Sequence, residues 1–351
     1  MTMQRNSDAV RAPDSTDLAD ASAPTQKGTL ARARWGGPVR SILIVTGLLF
    51  AVSGLVAPQT LSPTSLLSMV PFAAVLAIAA AGQTLVIQQR GLDLSVPGNI
   101  SLAAVTLGVF HARNGTSLAV TLGVVAAVAV VVGLANGLLV AKLAITPLIS
   151  TLAVNALLLG ALQAYSGGSP ATAPPALSEF VSTKFLGQQV VVWVALLVVV
   201  VLAVLARKTV AGRRFVAVGA NPSAARAAGV AVNRYVVGAY VVGSLCMALA
   251  GVLLAGYLKT TATTVGDPYL LPVIAAVIIG GTPLTGGRGS VVASAVAALF
   301  LSQLGQLVLT LGAPSSIQIL IQAVAIAVAA VLRGIGDGGA RVPWLRRVRG
   351  T

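Results

Sequence analysis

Long apolar runs without a charge alternate along this chain with short polar breaks. Two of the plainest are Val190–Ala206, VVVWVALLVVVVLAVLA, and Tyr235–Leu258. Each is close to the roughly 20 residues that a helix needs to cross about 30 Å of hydrocarbon. Runs of this kind at 41–57, 66–88, 94–110, 117–141, 146–165, 190–206, 235–258, 271–281, 290–311 and 315–332 predict about ten transmembrane spans, with both ends on the same side. The strands of a membrane β-barrel would alternate apolar and polar positions, whereas these runs are apolar all round and rich in Ala, Leu and Val, so the spans are helices. The predicted class is all-α, a polytopic membrane protein.

Composition agrees. With 56% hydrophobic and 9% charged residues over 351, the chain has too little polar surface for a water-facing globule. Its net charge of +15 does not signal a nucleic-acid partner, because the basic residues sit in loops and tails rather than along one helical face. Of the 23 Lys and Arg, all but Arg113, Lys184 and Lys259 fall on one side of the predicted spans. The positive-inside rule therefore puts both termini and the polar island Arg207–Arg234 in the cytoplasm. Residues 1–38 are rich in Ala, Asp, Ser, Thr and Pro and are expected to be a disordered tail, too polar for a signal peptide. Residues 39–333 form the membrane domain, and 334–351 a second basic tail. Arg32, Arg34 and Arg40 at one end, and Arg341, Arg346, Arg347 and Arg349 at the other, are suited to anionic membrane lipid.

Catalytic chemistry is missing from this pattern. Cys246 stands alone in an apolar helix and reads as a small core residue, and His111 is unaccompanied where a metal would need three or four converging ligands, so no metal site is expected. The glycine-rich segment Gly280–Ser290, GGTPLTGGRGS, is superficially like a phosphate-cradling loop, but Arg288 is followed by Gly289 and both flanks are membrane helix. Its glycines read as devices for close helix approach and sharp reversal. A second polar break, Gln88–Asn99, QQRGLDLSVPGN, puts Arg90 and Asp93 at a cytoplasmic helix junction where they are able to pair. There Gly91 and Gly98 permit unusual backbone angles, and Asp93 or Ser95 can accept from the amides that open the next helix.

The island itself, RKTVAGRRFVAVGANPSAARAAGVAVNR, contains a very short helix: Asn221 as N-cap, Pro222 in the first turn, Ser223, Ala224, Ala225, Arg226, Ala227 and Ala228 as its body, and Gly229 as its stop. Two helical turns do not persist alone in water, so packing against the membrane helices or a partner must hold them.

These residues carry a resemblance. Gly212–Arg234 is similar to the cytoplasmic coupling loop of bacterial ATP-binding-cassette sugar permeases of the ribose, xylose and autoinducer-2 group, within the branched-chain amino acid and sugar permease family. Thr84–Val105 resembles the family's GIDLSVGS-type junction, with Pro97 where a Gly is usual, and Ile274–Gly289 its AIAAVVLGGTSLAGGKG segment. The resemblance implies two inverted repeats, roughly spans two to five and seven to ten. It also implies a second permease copy in a homodimer or related heterodimer, two cytoplasmic ATP-binding subunits and an extracytoplasmic solute-binding protein. Asn221–Gly229 would be the ATPase-coupling helix. No Walker A segment occurs in the chain, so it is expected not to be an enzyme and to carry no cofactor, with ATP and Mg on the partner ATPase.

A translocation path for a sugar should be neutral and polar, and the candidates within spans are Gln83, Asn99, Asn136, Asn155, Gln163, Gln303 and Gln306. Each can bond a solute hydroxyl, and each can equally join two helices. The rival class is an ion-coupled secondary transporter, which needs an acid deep in the membrane, whereas Asp93 and Asp267 are expected near the interfaces. Reporter fusions at the two ends should both give cytoplasmic signals; opposite signals would mean an odd error in the span count.

Overall fold

The computed structural model describes residues 37–314, 316–321, 323, 324 and 327. The two expected tails lie outside the described residues, except that Gly37 and Pro38 already open the first helix. Part of the tenth expected span, including 328–332, lies outside them too. The order is α1 (Gly37–Val56), a 3-10 turn (Pro58–Leu61), α2 (Pro63–Gln88), α3 (Val96–Asn114), α4 (Leu118–Ala141), α5 (Pro147–Ser166), β1 (Ala171–Thr172), α6 (Pro175–Ser182), β2 (Lys184–Phe185), β3 (Gln188–Gln189), α7 (Val190–Lys208), α8 (Val210–Ala220), α9 (Pro222–Ala227), α10 (Val232–Leu258), β4 (Thr260–Thr261), a 3-10 turn (Asp267–Tyr269), α11 (Leu270–Ile279) and α12 (Val291–Thr310).

Helix starts follow local chemistry. The Ser62, Ser117 and Ser290 hydroxyls accept from the amides three residues on and so cap α2, α4 and α12. Proline fills the first turn of α2, α3, α5, α6 and α9, where its missing N–H costs nothing. Gly115 and Gly167 close α3 and α5 in the left-handed region, at φ +59° and +63°.

Among the described residues seven helices are long and apolar enough to cross a membrane: α1, α2, α4, α5, α7, α10 and α12. The expected third and eighth spans are different objects. α3 holds Asn99, Ser101, His111 and Arg113, and α11 is a ten-residue helix that reaches about 15 Å at ~1.5 Å per residue.

α2 and α10 form the centre. α2 is buried continuously from Ala73 to Gln88, and it packs antiparallel on α10, since Gly82 lies against Gly243 and Cys246 while Gly91, beyond its end, meets Tyr240. Cys246 is buried there as a small core residue. Glycines bring the backbones together: Gly133 and Gly137 of α4 face the Val241 and Val237 backbones of α10, and Gly251 of α10 faces the Ile100 carbonyl of α3. Thr84 Oγ1 donates to Ser294 Oγ (2.8 Å) between α2 and α12. Apolar side chains such as Leu48, Val131, Leu157 and Leu197 stay exposed on α1, α4, α5 and α7, giving the kind of surface that lipid covers.

Two stretches turn back into this bundle. Asn99, in the first turn of α3, bonds Ser244, about 18 Å along α10 at ~1.5 Å per residue, so α3 starts well inside rather than at an end. Its lead-in is buried at Gly91, Asp93 and Ser95. After α10 the chain doubles back: the Gly266 amide donates to Ser101 Oγ (2.8 Å), and Gly266 sits tight on the Pro97 carbonyl. α11 then departs from that point.

At the other end from the island, β1 pairs antiparallel with β4, Ala171 opposite Thr261, and Leu177 and Val181 of α6 pack on Gly256. The hairpin of β2 and β3 is held by Trp193, whose Nε1 donates to the Phe185 carbonyl (3.0 Å). Replacing Gly133 by Ala puts a methyl 2.8 Å from the Tyr240 carbonyl oxygen and is expected to cost about 1–3 kcal/mol. Gly123→Ala meets nothing within 4 Å and should be neutral or gain up to ~1 kcal/mol of helix propensity. Thermal melts of the two purified variants in detergent check the contrast.

Candidate functional site

The island is a folded knuckle. α7 stops at Lys208, and Thr209 starts α8 by accepting from the Gly212 amide (2.9 Å). Gly212 sits so close to the Leu205 and Ala206 carbonyls that no side chain fits at this corner. α8 leads to Asn221, whose Oδ1 accepts from the Ala224 amide (3.1 Å) and the Ser223 hydroxyl (2.7 Å). With Pro222 in the first turn this starts α9, and Gly229 ends it at φ +75°. The start and stop expected from the sequence are those found.

An apolar seat supplies the stability that so short a helix lacks. Val218 of α8, Ala225 of α9 and Val232 of α10 are buried together, with Val230, Tyr235 and Val236 packed around them. Ser223, Ala224, Arg226, Ala227 and Ala228 stay exposed, so α9 shows outward a face of small residues with one cation, Arg226. Ala224 and Ala225, equivalent in sequence, are therefore opposites: one is surface and the other is seat. α8 itself was not foreseen; the Thr209 cap followed by apolar Val210, Phe215 and Val218 is the signal that marks it.

Three segments far apart in sequence lock together behind this knuckle. Gln89 Nε2 donates to the Phe215 carbonyl (2.7 Å), and the Arg90 guanidinium donates through Nε to the Gly219 carbonyl (2.8 Å) and through Nη2 to that of Ala220. The Gly287 amide donates to the Gln88 carbonyl (2.9 Å), bringing in the glycine-rich loop. Gly219 fits against Gln88, Gly287 against Ala220, and Gly286 against Arg90. Gly281, Gly286 and Gly287 have φ between +78° and +103°, which makes the loop a tight reversal as its composition suggested. Arg288 is exposed beside it.

The junction departs from expectation in three ways. Arg90 and Asp93 do not pair: Arg90 spends its donors on α8, and Asp93 Oδ1 accepts from the Ser95 amide (2.8 Å) and hydroxyl. Asp93 is fully buried rather than exposed at an interface, with Oδ2 unpartnered. The unusual backbone angle belongs to Arg90, at φ +63°, while Gly91 and Gly98 serve instead for close approach to Tyr240 and Asn155.

Three of the candidate path residues converge on the buried start of α3 and join helices there. Asn99 Nδ2 donates to Ser244 Oγ (2.6 Å), Asn136 Nδ2 to Ser95 Oγ (2.9 Å), and Asn155 Oδ1 accepts from the Gly98 amide (2.9 Å). The others lie elsewhere. Exposed Gln163 reaches Thr263 at 3.5 Å, and Gln306 is half-buried on α12. Gln83 and Gln303 are fully buried with both amide atoms unpartnered, so their hydrogen-bonding capacity is unspent.

A helical membrane bundle with buried polar joints and a seated knuckle at one end is the framework of a transport permease, and the comparisons agree. The chain belongs to the family described as the permease component of branched-chain amino acid transport systems, whose model matches residues 65–330. It is 34% identical to the ribose import permease protein RbsC of Bacillus subtilis over 81% of this chain and 89% of that one. It is 29% identical to the autoinducer 2 import system permease protein LsrD of Photorhabdus laumondii, over 91% and 97%. Against the corresponding LsrC of Salmonella typhimurium the identity is 32%, over 78% and 79%. No solved structure matches the chain.

A methyl at Gly219 would strike the Gln88 carbonyl oxygen and crowd the Gly287 amide at 3.1 Å. Gly219→Ala should loosen the knuckle by about 1–3 kcal/mol and leave the bundle intact. Limited proteolysis should then cut within 209–231 several-fold faster than in the unaltered protein, and an unchanged cleavage rate would contradict this packing.

Proposed function

We propose that this chain is the membrane-spanning subunit of an ATP-binding-cassette importer for a monosaccharide or related small polar solute. The observation that carries the proposal is α9, a capped helix held from behind by an apolar seat and presenting Ser223, three alanines and the single cation of Arg226 outward, in a chain with no nucleotide-binding motif of its own. Support for the solute class comes from relatives named for import of ribose and of autoinducer 2.

In this reading two copies of the chain, or this chain and a close relative, assemble with two ATP-binding subunits on the cytoplasmic side of the bacterial inner membrane. A solute-binding protein docks on the opposite side. Both termini and the knuckle face the cytoplasm, in keeping with the distribution of Lys and Arg. ATP and Mg²⁺ belong to the partner ATPases, whose closure moves α9, and stiff membrane helices relay that movement to the gates. Asn221–Gly229 makes the ATPase contact, and Arg90, Asp93 and Arg288 mark the cytoplasmic junctions behind it. Gln83 and Gln303, with unspent amides, are the strongest candidates to meet solute hydroxyls when the bundle opens. Asn99, Asn136 and Asn155 act first as joints.

Ala224→Glu places a charge on the exposed face of α9 and should reduce co-purification of the ATPase at least about tenfold, the factor that ~1.4 kcal/mol commands. Its melting temperature should stay close to that of the unaltered protein. Ala225→Glu buries the same charge in the seat and should lower both. Full ATPase recovery with Ala224→Glu would overturn the assignment of α9.

A further inference from the structure

Arg90 holds an arrangement that asks for an explanation. It is a non-glycine residue at φ +63°, a region in which an L side chain is strained and a glycine is not. It stands at the end of the most deeply buried helix of the bundle, yet its side chain reaches over to the last two carbonyls of α8, Gly219 and Ala220. Those carbonyls sit immediately before Asn221, the cap of α9. Positive charge suits the C-terminal end of a helix, and two donors of one planar guanidinium fix direction as well as distance. Gly286 packs on the Arg90 side chain, so the glycine-rich loop that leads into α12 is seated on the same group.

We propose that Arg90 is the positioning residue that passes movement of α9 to α2 and to the loop before α12. This rests on the reading of α9 as the ATPase contact. Along the sequence α9 leads back through Asn221 into α8 and onward past Gly229, at φ +75°, into α10. Besides the apolar seat on α10, a second route is lateral. Any displacement of α9 drags Ala220, and Ala220 is held by the guanidinium to the backbone at the end of α2. α2 in turn packs on α10, α12 and α11, so a shift of its end is felt by both turned-back segments. Attachment of the knuckle does not depend on this link alone. Gln89 still holds Phe215, and Phe215 still packs beside Leu85, Val199 and Val291. Loss of Arg90 therefore weakens the coupling of the knuckle to α2 and the glycine-rich loop without detaching it.

The experiment uses Arg90→Gly, which relieves the backbone strain while removing the tie, in the full transporter co-purified with its ATPase and placed in lipid nanodiscs. Amide hydrogen exchange is measured with and without MgATP plus vanadate. In the unaltered complex the nucleotide should change exchange in 216–229, in 88–95 and in 280–290. In Arg90→Gly the change in 216–229 should persist, while those in 88–95 and 280–290 shrink about two- to threefold, since a charge-assisted hydrogen-bonded tie is lost and the Gln89 and Phe215 contacts remain. Arg90→Lys, with a single point charge for two carbonyls, should fall between. Equal responses in all three segments of Arg90→Gly would overturn the proposal, as would a folded Arg90→Gly protein that no longer retains the ATPase. Failure of the unaltered chain to retain any ATPase would instead overturn the reading of α9 on which it rests.

Discussion

Near-backbone contact between α2 and α10 is the constraint on which the rest of this molecule depends. In hydrocarbon there is little hydrophobic force to drive one apolar helix onto another, so association rests on close packing and on the polar groups that packing can satisfy. Gly82 against Gly243 and Cys246 sets how near the two central helices come. That distance fixes where Tyr240 lies over Gly91, where Ser244 meets Asn99, and how much room is left for the buried lead-in to α3. A wider spacing would draw Ser244 away from Asn99 in a place that water does not reach, at several kcal/mol.

On this pair the chain performs one manoeuvre twice, in opposite directions. α2 is followed by an irregular stretch that passes into the bundle before α3 begins, and α10 is followed by another that comes back to meet it before α11 begins. Irregular backbone at such a depth survives only where protein surrounds it. Here it is surrounded by side-chain partners: Asp93 serves the Ser95 amide, Thr151 that of Leu94, Asn155 that of Gly98, and Ser101 that of Gly266. Thr151, Asn155 and Ser101, polar residues in otherwise apolar helices, are accounted for by this task.

Much of the architecture was legible in the sequence because membrane helices announce themselves by uninterrupted apolar length, and α1, α2, α4, α5, α7, α10 and α12 all do so. The limits of α9 were legible too, since Asn-Pro at one end and Gly at the other are chemical signals that do not depend on tertiary context. The depth at which α3 starts was not, because a helix that begins inside the bundle has the same composition as one that begins at its edge. Nor was the destination of Arg90, which depends on Gly219 and Ala220 arriving from far along the chain. Hence Arg90 and Asp93, neighbours in sequence and opposite in charge, looked like a pair. The extramembrane elements α6 and β1 to β4 left almost no trace, being two to eight residues long with mixed polarity.

The position of Cys246 has a practical corollary. As the only thiol in the chain, buried on α10 against Gly82 of α2, it is screened from water-borne maleimides and other labelling reagents. The native polypeptide is thus already a quiet background for fluorescence or spin-probe work. A reporter cysteine can be introduced at any exposed site without first removing the native one, whose replacement would disturb the close contact of α2 with α10.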